Sequence, residues 1–112
     1  MASYSVFVGP TLIGHSDLEL GDPSMGVVIG KFRPTPQYAS LRSTCIAAFA
    51  DRSQERLGLV VRTPDGEVLP AQGGVMLLDG EGMPISEVEI EVAGIPQQLY
   101  SKLFPEHFAG SD

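Results

Sequence analysis

His15-Ser16-Asp17 sets the three residue types of a hydrolase triad side by side. Triad members converge from separate elements, with the histidine between the other two. Three consecutive residues do not make that geometry, so the run reads as a polar turn. His15 and His107, joined by a carboxylate, carry the donor types of a catalytic zinc site. They stand near opposite ends of the chain and neither lies in a ligand-spaced cluster, so no metal site is expected. Cys45 is the one cysteine. On an apolar helix stripe it acts as a small hydrophobe, and Arg42 three residues before it could activate the thiol only if both faced solvent. Asp79-Gly80-Glu81-Gly82 looks like a piece of a calcium loop but lacks the spaced oxygen ligands and closing glutamate of one. Gly73-Gly74 is not followed by the Lys-Ser/Thr of a phosphate loop. No catalytic or cofactor signature emerges.

Charge carries more information. The net charge of −7 is sorted along the 112 residues. Residues 1–30 hold Asp17, Glu19 and Asp22 and no base. Residues 31–62 hold Lys31, Arg33, Arg42, Arg52, Arg56 and Arg62 against Asp51 and Glu55. Residues 63–112 hold nine acids and only Lys102. A basic region on an acidic body points to charge-complementary contact, within the chain or with a partner. The acidic balance disfavours nucleic acid, because phosphate binding needs surplus Lys and Arg.

The elements that must position these residues are short. Gly and Pro supply 13 and 9 residues, which implies many turns and a β-rich fold. Strands are expected at Tyr4–Val8, Thr11–Ile13, Met25–Arg33, Leu57–Arg62, Glu67–Leu69 and Val75–Leu78, with a weak piece at Ser16–Leu20. Gly26 and Gly30 suggest a bulge, a bend or a close backbone approach. Thr35-Pro36 reads as a helix cap followed by proline at the first position. The helix runs from about Pro36 to Ala50, extendable to Arg56. Tyr38, Leu41, Cys45 and Phe49 form its buried stripe, with Arg42, Arg52 and Arg56 nearer solvent. Asp51 and Glu55 are placed to pair with those arginines. Pro64-Asp65-Gly66 is the strongest hairpin signal. Ser86–Val92 alternates strictly, with Val88, Ile90 and Val92 inward and Glu87, Glu89 and Glu91 in an acidic outer row. Pro96–Phe104 is a short helix with Leu99, Leu103 and Tyr100 inward, stopped by Pro105. Ala109 to Asp112 are expected to be mobile.

The expectation is one α+β domain over 1–112: a mostly antiparallel, strongly twisted sheet or partly closed barrel, a central helix and a short C-terminal helix. The favoured function is a non-enzymatic protein–protein interaction module using its segregated charges, with a protein partner or a second copy in a homodimer. Glu87, Glu89, Glu91, Arg42, Arg52 and Arg56 are its contact residues. The alternative is a small-molecule binder or enzyme with a pocket between sheet and helix, lined by His15, Asp17, Asp22, Arg33 and Tyr38. No cofactor is expected. A single cysteine, no apolar run of membrane-spanning length and no signal-like N-terminus fit a cytoplasmic protein.

Overall fold

A computed structural model of the chain describes residues 3–108. The expectation for Ala109 to Asp112 lies outside the described residues. Ten regular elements follow in order: β1 (Tyr4–Val8), β2 (Thr11–Ser16), β3 (Leu20–Asp22), β4 (Val27–Lys31), β5 (Arg33–Pro34), α1 (Tyr38–Ala50), β6 (Leu59–Arg62), β7 (Gly74–Leu78), β8 (Glu89–Ala93) and α2 (Gln97–Leu103). All strand pairs are antiparallel. The fold is α+β, with a central and a C-terminal helix.

The strands divide into two sheets, ordered β5-β2-β1-β6 and β3-β4-β8-β7, and the two do not close into a barrel. Alternation along the strands explains how they pack. Tyr4, Val6, Ile13 and Val61 of the first sheet share one core with Val28, Leu77, Ile90 and Val92 of the second. α1 contributes Tyr38, Cys45 and Ala48, while Leu41 stays half-buried. α2 contributes Tyr100, and Phe104 beyond it stacks on Tyr4 at 5.3 Å between ring centroids.

Several boundaries differ from the sequence reading, each for a local reason. Thr35 does not cap α1. Its hydroxyl donates to the Leu12 carbonyl at 2.8 Å and ties the helix entry to β2, so Gln37 stands at the cap. The long strand expected over Met25–Arg33 starts later. Asp22 accepts from the Ser24 amide and hydroxyl, setting a 3-10 turn at Pro23–Met25, and Gly26 ends that turn at φ +65°. Gly30 is a close approach. A Cβ there would meet Ser16 Oγ and Glu19 Oε1 and lie 2.8 Å from Leu18 Cα. The segment around it folds inward, with Ser16 and Leu18 buried and Glu19 accepting from the Lys31 amide. The 67–69 return of the hairpin makes only a single bridge, Arg62 to Val68. The strand expected over Ser86–Val92 begins at Glu89, because Ile85–Glu87 coils into a 3-10 turn after Pro84.

Candidate functional site

Neither contact set expected from sequence is assembled as written. Glu87 sits on the 3-10 turn, off the strand row. Glu89 lies opposite Lys31 of β4, and Glu91 lies between Ile29 of β4 and Met76 of β7. The acidic row is therefore a pair of glutamates. Arg42 is not a free surface cation. Its Nε donates to Asp79 at 2.8 Å and its Nη2 to the Met83 carbonyl at 2.6 Å. Arg52 and Arg56 are exposed. Asp51 accepts from Ser53, and among the described residues the recorded ion pairs are Arg33–Asp17 and Arg42–Asp79.

Asp79, read from sequence as part of a turn, is fully buried. Tyr38 donates to it at 2.6 Å and Arg42 grips it with two nitrogens. The hydrogen bonds to Asp79 push the Arg42 guanidinium pKa upward. Burial, followed by the hydrogen bond to Asp79, pushes the Tyr38 hydroxyl far above its ordinary value. Burial and the Asp79 charge also raise the Cys45 thiol, which keeps it protonated and unreactive. This cluster locks α1 onto the chain after β7.

The second set is assembled only in part. Asp17 pairs with Arg33 at 3.0 Å, and His15 faces Arg33 across the β2–β5 ladder. Asp22 is committed to its turn and Tyr38 to Asp79. None of these five lines the cavity between the open edges of the two sheets. Among the described residues no three His, Cys, Asp or Glu side chains gather as a metal site.

That cavity, about 840 Å³, lies where the two sheets fail to close. One wall is β6 and the other is β7, each the last strand of its sheet. Phe49 of α1 and Leu69 and Ala71 of the hairpin return add apolar lining, and the exposed Val68 and Met76 stand on its border. Arg52, Glu55 and Glu91 are its charged lining residues.

Among the described residues, the walls present backbone groups without a hydrogen-bond partner. In an antiparallel ladder, alternate residues turn both N–H and C=O away from the partner strand. On β6 the odd positions do so: Val61 accepts from the Leu69 amide, and Thr63 donates to the Glu67 carbonyl. Leu59 therefore turns its N–H and C=O away from β1, into the cavity it lines. On β7 the same parity holds. Leu77 bonds not to β8 but to the side-chain amide of Gln54, which donates to its carbonyl and accepts from its N–H, both at 2.8 Å. Val75, two residues earlier, turns its own pair into the cavity. Gln54 thus does for Leu77 what one residue of a neighbouring strand would do. Sequence reasoning passed over Gln54, Leu59 and Val75. Edge position depends on which strands pair across the chain, and no local pattern records it.

No family model, curated protein or solved structure matches the chain. No helix among the described residues is long and apolar enough to cross a membrane.

Proposed function

We propose that this chain is a non-enzymatic protein-binding module that takes an extended segment of a partner protein into the groove between β6 and β7. One observation carries the reading: the free N–H and C=O groups of Leu59 and Val75 face a largely apolar groove, and Gln54 already makes the strand-like pair of bonds beside them. Backbone groups in such a place call for hydrogen-bonding partners. Strand addition supplies them, and alternate side chains of the guest then fall on the apolar lining. β6 and β7 are four and five residues long, so the slot fits a segment of similar length, roughly 15 Å. A cytoplasmic setting accords with one buried, protonated cysteine.

The test is an NMR titration with a nine-residue capped peptide alternating valine and serine. The reading expects the Leu59, Val61 and Val75 amides to shift and to exchange more slowly with solvent. Methylating the peptide nitrogens should abolish the effect. Val75→Pro removes an amide that points away from β8, so the ladder stays intact while binding falls. Light scattering adds the self-association arm: a dimer that Val75→Pro dissociates would make a second copy the guest. Unmoved groove amides at millimolar peptide would overturn the reading.

A small-molecule binder is the second reading, favoured by the cavity volume and apolar lining. An apolar dye that moves the groove amides when the peptide does not would select it.

A further inference from the structure

We infer that the guest segment alternates apolar residues with basic ones, and that a Lys or Arg lies beside Met76. This rests on the strand-addition reading and adds the guest's chemistry to it. The argument starts from register. A guest residue bonded to Val75 points its side chain to the same face as Val75 and Leu77, the buried face of the sheet. That position must be apolar. Its neighbour, opposite Met76, points to the outer face.

The outer face at that level is a row running Leu20, Ile29, Glu91, Met76 across four strands. Glu91 has an apolar neighbour on each side, and no ion pair to it is recorded among the described residues. Glu89, one row along, already has Lys31 opposite. Glu91 also lines the groove. A guest strand on the β7 edge lies two strand spacings from β8, roughly 10 Å. A Lys or Arg there can lay its stem over Met76, which is 43% exposed, and bring its charge to Glu91. A guest glutamate in that place would face Glu91 on a chain whose net charge is −7. The acidic body is therefore the feature that selects the guest, while the groove supplies the bonds common to any strand.

The probes are two capped nine-residue peptides, valine alternating with lysine and valine alternating with glutamate, titrated at low and high salt. The lysine peptide should bind about tenfold more tightly at about 50 mM salt, with the ratio falling below about threefold at 500 mM, as expected for an exposed pair replaced by a repulsion. Glu91→Gln should bring the low-salt ratio down to about threefold. Equal affinity of the two charged peptides, with the Leu59 and Val75 amides still shifting, would overturn the basic guest and leave strand addition standing. Failure of all three peptides to move those amides would overturn both.

Discussion

Gln54→Ala is the sharpest perturbation of this fold, because one side chain holds both hydrogen-bonding groups of a buried strand residue. Gln54 is 9% exposed and Leu77 fully buried, and the two bonds are each 2.8 Å. A backbone group left orphaned in the interior costs about 1–3 kcal/mol, whereas one rescued by water costs about 0.5–1.5. Gln54 lines the groove, so its truncation would open a path for groove water to the Leu77 groups, and the lower range applies to each. The sum is about 2 kcal/mol, a Tm loss of about 8 °C for a domain of this size. The assay is urea unfolding followed by circular dichroism, with the midpoint moving at constant slope. Exchange of the Leu77 amide should accelerate in parallel. Gln54→Glu is the companion variant. Its carboxylate can accept from Leu77 N–H but cannot donate to Leu77 C=O, so it should be at least as unstable at neutral pH. Protonation restores the donor, so the folded state raises the pKa of this glutamate above the ordinary value of about 4.3. Its stability relative to the parent should therefore recover below about pH 4 and be lost as pH rises. In the binding titration, Gln54→Ala should also strengthen the valine–serine peptide, because the guest gains the two Leu77 groups. A midpoint within about 0.5 kcal/mol of the parent, with unchanged Leu77 exchange, would refute the reasoning.

Asp79→Ala removes the acceptor for the buried Tyr38 hydroxyl and leaves a void, so a loss of about 2–4 kcal/mol is expected in urea unfolding. Arg42→Lys should also destabilise, since one ammonium cannot reproduce the fork that spans Asp79 and the Met83 carbonyl; Arg56→Ala, an exposed control, should leave the midpoint in place. Gly30→Ala forces a Cβ against the Leu18 backbone and should cost about 2 kcal/mol by the same assay. At high pH, burial first and then the charges of Asp22 and Glu106 push the Tyr100 hydroxyl up to about 12. The unfolded chain releases that proton near pH 10, so stability should be intact below 10 and fall between about 10 and 12, and Tyr100→Phe should flatten that decline.

Period-2 and period-3.6 patterns made the main elements legible. Tyr4–Val8 stands where its alternation placed it, and α1 ends at Ala50. Turn chemistry misled where side chains were recruited over a distance: Thr35 reaches β2 in place of its own helix, and Pro84 coils residues that alternate well enough to be a strand. The Asp79 cluster did leave a trace. Tyr38 and Arg42 are four apart, so both lie on the face that also carries Cys45. An arginine on a buried stripe requires an acid, and the sequence could have prompted a search for it. Its identity could not be read, because Asp79 comes to α1 through β7 and the core beneath it. The groove was hidden for a stronger reason. Leu59 and Val75 look like any other strand residues, and only the failure of β6 to pair with β7 exposes them.

That failure to pair has a consequence for stoichiometry. A strand added to an ordinary open edge presents a fresh edge of its own, and growth can continue chain after chain into a fibre. A guest taken up as proposed would have β7 on one rim and β6 with its hairpin return near the other. With little edge left for a third chain, binding should saturate at one guest per molecule without seeding a polymer.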